Sequence, residues 1–244
     1  MFAACLKNNT PIHIIGAGMR GWNTDSFNSF KLCQKHGLIK TMTCRDSYSH
    51  SIANRYGIDS KIYLDPAFMI KTKQYKEDKP KFNIVLNFRS AGGNKRESYD
   101  MSFINTYLNL FNKYESKIDL ITTHELPEYI TACKFFPKEK IFFSSDYNDY
   151  KRIYLNCKVY VGGRIHGTIP SYTGGSECHI IYNNSKVNVI ECANKILIDH
   201  NLSPINIHQY DQDINIGTYN PSEYIKRTQV ISSLLDKYRG FISE

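Results

Sequence analysis

Three absences narrow the possibilities before any motif is considered. The seven cysteines (Cys5, Cys33, Cys44, Cys133, Cys157, Cys178 and Cys192) include no C-x-x-C pair, so the common zinc and redox spacings are missing. Their odd number and wide scatter argue against a disulfide framework and for reduced, mostly buried thiols. Long apolar runs are missing too: stretches such as Ile12–Ile15 and Val159–Val161 are far too short to cross a bilayer. Met1–Thr10 has no basic segment leading into an apolar run of signal-peptide length. A soluble, cytoplasmic protein is expected, with peripheral contact to a membrane surface at most. There is no fixed-period repeat, and no histidine pair has the H-x-x-x-H spacing of a metal site. No metal is expected.

What is present suits one large folded domain or two small ones. The chain has 244 residues, 41 % hydrophobic and 22 % charged, enough to bury a sizeable core without staples. Lys plus Arg number 31 against 23 Asp plus Glu, a formal charge of +8 that favours anionic partners. Nucleic acid is not expected, because the basic residues are dispersed and no nucleic-acid motif accompanies the 18 tyrosines.

Short β-branched runs alternate with amphipathic stretches along the chain. Pro11–Ile15 reads as a strand, followed by a turn at Gly16-Ala17-Gly18 and a helix from Thr24 to His36. Leu38–Cys44 and Lys61–Leu64 read as strands flanking a helix capped by Asp46 or Ser47 and closed at Gly57. Lys71–Lys81 is almost wholly charged or polar and reads as a linker. A second series follows: strands at Phe82–Phe88, Ile118–Thr122, Lys140–Phe143, Lys158–Val161 and His179–Tyr182. Between and after them lie helices at Tyr99–Glu115, Leu126–Lys134, Tyr147–Asn156, Ile165–Thr173 and Val187–His200. A polar loop and a closing helix, Pro221–Arg239, end the chain. This alternation predicts an α/β protein of two Rossmann-like halves with parallel sheets, residues 1–75 and 76–244. Ligands of such sheets bind beyond the carboxyl ends of the strands.

Several segments at predicted strand ends could carry chemistry. Gly16-Ala17-Gly18-Met19-Arg20-Gly21 fits G-x-G-x-x-G, but the helix starts late, so a tight turn competes with a dinucleotide site. In Cys44-Arg45-Asp46-Ser47, Arg45 at a sheet mouth beside a helix start could hold an anion, or could pair with Asp46 on the surface. Asp65 before Pro66 reads as a turn former. Arg89 precedes Gly92-Gly93, either a close backbone approach to a ligand or a surface loop. The fullest convergence is Gly162-Gly163-Arg164-Ile165-His166-Gly167-Thr168: glycines that clear space, an arginine, and a histidine either suited to proton transfer or simply capping the helix, with Thr168 and Pro170 in the first turn of the helix; together they favour a functional site.

Taken in order, these pieces resemble the polysaccharide pyruvyl transferase family. The resemblance rests on Ile14-Ile15-Gly16-Ala17-Gly18, Arg45-Asp46-Ser47-Tyr48-Ser49, Tyr56-Gly57-Ile58, Asp65-Pro66-Ala67-Phe68, Val85 to Arg89, Gly162 to Gly167, and Tyr182 with Lys186. It covers about residues 11 to 198. It implies a fold resembling the B-type glycosyltransferases, with ligand in a cleft between the halves. Family members usually carry more chain before the first glycine turn, including a Gly-Asn-x-Gly-Asp-like loop. Only Met1–Thr10 precedes it here, so the first half is expected to be shortened.

The activity implied is ketal formation on a sugar, with phosphoenolpyruvate as donor substrate and no cofactor. Phosphoenolpyruvate carries a carboxylate and a phosphate and wants two cationic clamps. Arg45 and Arg164 are the candidates, assisted by Arg89 or Lys186, with Gly16, Gly18, Gly163 and Ile165 as further substrate contacts. His166 is the candidate proton carrier, and Arg164 would stabilise the departing phosphate. The acceptor would be a sugar, a glycan or a lipid-linked oligosaccharide. Two other readings stay open: a glycosyltransferase using a sugar nucleotide, and a non-catalytic carbohydrate-binding remnant.

Overall fold

The computed structural model describes residues 2–19, 24–70, 79–90, 101–182, 187–210, 212–217 and 219–243. These form two compact units. Unit 1 holds residues 1–66, 188–201 and 232–244; unit 2 holds residues 67–187 and 202–231. Where the sequence suggested a division at residues 75 and 76, contacts assign two later segments to unit 1, and the closing helix has residues in both units.

Unit 1 is built on three parallel strands, β1 (Ile12–Ala17), β2 (Ile39–Cys44) and β3 (Lys61–Ile62), in the order β1-β2-β3. Helix α1 (Phe2–Asn8) was not anticipated; Cys5 and Leu6 pack against Ile12, Cys33 and Leu38, and this contact outweighs the weak helical propensity of a seven-residue segment. Helix α2 (Thr24–Lys35) puts Phe27 and Phe30 on Met42 and Cys44. Helix α3 (Ser47–Arg55) starts where its cap predicts, with Asp46 Oδ1 accepting the Ser49 N–H at 2.7 Å. The expected turn at Gly16-Ala17 is instead part of β1. Gly16 has φ +64° and the β1–β2 register shifts there, so the glycine marks a bulge within the strand.

Unit 2 carries six parallel strands: β4 (Phe82–Asn87), β5 (Ile118–Thr123), β6 (Ile141–Phe143), β7 (Cys157–Gly162), β8 (Glu177–Tyr182) and β9 (Asn206–Gln209). Their order is β6-β5-β4-β7-β8-β9. Numbered from β4, this is the 3-2-1-4-5-6 order of dinucleotide-binding sheets, whose strand order reverses between β4 and β7. The β9 strand was not legible, because its segment Asn-Ile-His-Gln is as polar as a loop; pairing with β8 makes it a strand. The helices are α4 (Met101–Tyr114), α5 (Leu126–Phe135), α6 (Tyr147–Tyr154), α7 (Ile165–Thr173), α8 (Val187–Asp199) and α9 (Pro221–Ser243). Most residues of α8 belong to unit 1.

Helix α4 shows why the pattern works. Phe103, Ile104, Tyr107, Leu110 and Phe111 recur at helical spacing and are all buried. Phe88, just after β4, meets Tyr107 and Phe136 edge-on, each with ring centroids 5.3 Å apart. Such pairs add about 0.5–1.5 kcal/mol each beyond burial, and they anchor the segment that leads into Arg89. Among the described residues no helix is long and apolar enough to cross a membrane.

Candidate active site

Three strand ends of unit 2 deliver side chains to one edge. Arg89 follows β4, His124 and Glu125 follow β5, and Gly163 and Arg164 follow β7. Since β4 and β7 flank the reversal of strand order, Arg89 and Arg164 stand at the place where such sheets open a crevice.

One buried carboxylate joins them. Glu128, in the first turn of α5, has a side chain only 7 % exposed. Its Oε1 lies 2.7 Å from Arg164 Nη2 and 3.8 Å from Arg89 Nε. Its Oε2 accepts the backbone N–H of His124 at 3.2 Å. Glu125 meets the same Arg164 Nη2 at 3.0 Å from a half-exposed position. Burial disfavours the Arg164 charge, but the two carboxylates more than offset this and hold its pKa above the ordinary value. Arg89 also donates to the Gly163 carbonyl at 3.4 Å. Sequence reasoning missed Glu128. The available signal was a pair of acids around Leu126-Pro127 at a strand end, where a helix start favours a carboxylate.

The glycines allow a close approach within the protein. A β-carbon on Gly162 would stand 2.6 Å from Asn87 Cβ, and one on Gly163 would stand 3.1 Å from Arg89 Cδ. The room they leave is filled by the protein's own side chains, and so brings β4 and Arg89 close to β7. Gly167 likewise lies against the Tyr160 ring.

Arg164 is the N-cap of α7, followed by half-buried Ile165 and exposed His166. Pro170 is the sixth residue of α7, beyond the first turn where the sequence had suggested it. Having no N–H, it leaves the carbonyl of His166 without its helical partner. The Tyr147 hydroxyl donates to that carbonyl at 3.1 Å instead.

Behind the arginines lies a polar network. The buried Asn87 side chain donates to the Thr122 carbonyl at 3.2 Å and approaches Tyr154 Oη at 3.3 Å. Tyr154 Oη is 2.5 Å from His124 Nε2, and the His124 ring stacks on Tyr150 with centroids 4.3 Å apart. Burial first, then the Arg164 charge, push His124 down to about 3, so it is a neutral imidazole that shares one hydrogen bond with the phenol, the donor set by its tautomer.

Unit 1 gathers its own candidates. Arg45 Nη1 pairs with Asp65 Oδ2 at 2.9 Å, and Asp65 is almost fully buried. The expected Arg45–Asp46 surface pair is thereby replaced: Asp46 caps α3 and Asp65 holds the arginine. Gly18 passes beneath the guanidinium, where a β-carbon would stand 3.0 Å from Arg45 Nε. The Gly16 N–H donates to Thr43 Oγ1 and the Met19 N–H to Ser49 Oγ, both at 2.9 Å. Lys186, Arg20, Gly21, Gly92 and Gly93 lie outside the described residues. Among the described residues, no group of three or more His, Cys, Asp or Glu is placed to hold a metal ion.

A model of the family described as polysaccharide pyruvyl transferase matches residues 1–185, about three quarters of the chain. The chain belongs to that family. Arg89 and the Gly163-Arg164-Ile165-His166 run fall inside the match. No curated relative matches the chain. Among solved structures, the glycosyltransferase SnogD from Streptomyces nogalater is 9 % identical, with 76 % of this chain and 56 % of that chain covered and a TM-score of 0.37. The glycotransferase of kitacinnamycin is 11 % identical, covers 91 % and 58 % respectively, and has a TM-score of 0.37. This pyruvyl transferase family member thus spans little more than half the length of either.

Proposed function

We propose that this chain uses phosphoenolpyruvate to place a pyruvate ketal on a sugar, glycan or lipid-linked oligosaccharide. The observation that carries the reading is the convergence of Arg89 and Arg164, from two strand ends that a family match covers, on one edge beside the start of α7. A guanidinium pair there suits a small molecule bearing both carboxylate and phosphate. The helix start, whose N-cap side chain makes no capping hydrogen bond, adds positive potential.

In this scheme a proton is added to the methylene carbon, and the adjoining carbon becomes oxocarbenium-like. One sugar hydroxyl attacks it, inorganic phosphate leaves, and a second hydroxyl closes the ketal. Of the two hydroxyl protons released, one balances the new methyl group and the other departs with phosphate. His166, exposed at the first turn of α7, is assigned the proton transfer. Arg164 stabilises the phosphate as it leaves. Arg45, with Gly18 beneath its guanidinium, is the anion contact proposed for unit 1, and Gly16, Gly163, Ile165 and Lys186 are retained as further substrate contacts.

The test is phosphate release from phosphoenolpyruvate with galactosyl, glucosyl and N-acetylmannosaminyl acceptors, using wild type and Arg164→Ala. Acceptor-dependent release that disappears in the variant is expected. Thermal protection by a sugar nucleotide but not by phosphoenolpyruvate would overturn the reading in favour of glycosyl transfer. Sugar binding with no phosphate release would leave a non-catalytic module.

A further inference from the structure

We infer that Glu128 is a positioning residue, whose single buried carboxylate draws Arg89 and Arg164 together so that they act as one anion clamp. The inference rests on the proposed use of this edge for an anionic donor. It concerns how the clamp is assembled.

The argument begins with repulsion. Arg89 and Arg164 come from loops after different strands, yet both approach the same oxygen, Glu128 Oε1. Two guanidinium groups with side chains 17 % and 21 % exposed are poorly screened from each other. The Gly163 carbonyl holds Arg89 at 3.4 Å and Glu125 holds Arg164 at 3.0 Å, but neither bridges both guanidinium groups, so without a shared anion their charges would turn apart towards solvent. A carboxylate between them removes that tendency, provided it cannot itself swing away. Glu128 meets that condition: its other oxygen is held by the His124 N–H, its helix position favours negative charge, and it is almost wholly enclosed. Glu125, half-exposed, meets Arg164 from the rim.

A simple counter-ion and a positioning residue make opposite predictions. If Glu128 only neutralised charge, removing its charge would make the edge more positive and tighten anion binding. If it positions the two guanidinium groups, removal would let them separate and weaken binding despite the extra positive charge.

The experiment compares wild type with Glu128→Gln, which keeps shape, and Glu128→Asp, which keeps charge and guards against a misfolded amide variant. Side-chain nitrogen NMR of the arginines reads the ordering without any ligand. Calorimetric titration with phosphoenolpyruvate, and separately with inorganic phosphate, reads the clamp. Slow guanidinium rotation at Arg164 in wild type, freed in Glu128→Gln and partly restored in Glu128→Asp, is expected. Phosphoenolpyruvate affinity should fall at least about tenfold in Glu128→Gln, with KM rising more than kcat falls. Unchanged rotation, or an affinity that stays level or rises, would overturn the inference. If wild type bound neither anion while rotation was still freed in Glu128→Gln, the functional reading would fail and the positioning role would stand.

Discussion

The Tyr147 hydroxyl donates to the backbone carbonyl of His166 at 3.1 Å, filling the place that Pro170 leaves empty in α7. The bond ties the start of α6 to the turn that presents the candidate proton carrier. Tyr147→Phe should cost about 1 kcal/mol and slow phosphate release several-fold. In a Pro170→Ala background, which restores a helical N–H to that carbonyl, the same change should cost clearly less. Equal losses of stability in both backgrounds, measured by urea unfolding, would show that the carbonyl is not what Tyr147 serves.

Arg164 and Glu128 should be strongly coupled. Arg164→Gln leaves a buried carboxylate with one cationic neighbour 3.8 Å away, and a loss of about 2–4 kcal/mol is expected. Adding Glu128→Gln should return part of that stability, with a coupling of about 1–3 kcal/mol in a double-mutant cycle. Strict additivity would mean that the pair contributes little.

His166 should behave in the opposite manner, because its side chain is exposed. His166→Ala is expected to change unfolding free energy by no more than about 0.5 kcal/mol. Phosphate release should nevertheless fall at least about a hundredfold. Full activity in this variant would remove the histidine from the mechanism.

Stability should fall with acid because of His124. Its imidazole titrates near 6.5 when unfolded, but burial and the Arg164 charge push it down to about 3 in the fold. Between those values the unfolded chain holds the proton and the folded chain does not, so stability is lost as pH drops from about 6.5 towards 3, by at most about 5 kcal/mol. His208, pushed down by burial and by His179, adds a slope of the same sign. His124→Gln, whose amide can donate to or accept from Tyr154, should flatten the urea midpoint between pH 4 and 6.5. An unchanged slope would locate the acid sensitivity elsewhere.

Local structure was largely legible. Helix α7 was read at Ile165–Thr173 and observed there, and Asp46 caps α3 as its side-chain chemistry requires. The misses have particular reasons. Helix α1 is held by tertiary contact, β9 is a polar segment made a strand by its neighbour, and Gly16 is a bulge where a turn was expected.

Within the candidate site, Arg89, Arg164 and His166 could be named from residue type and position after a strand, since those depend on neighbours a few residues away. Glu128 could not. It lies 36 residues from Arg164 in the chain, and only the placement of β5, β4 and β7 side by side brings it to both arginines. Likewise Gly162 and Gly163 were read as clearing space for a ligand, while what lies against them, Asn87 and Arg89, depended on which strand became their neighbour. Periodicity and capping are short-range and were written in the chain; the pairing of charges followed from strand order, which is a property of the folded sheet.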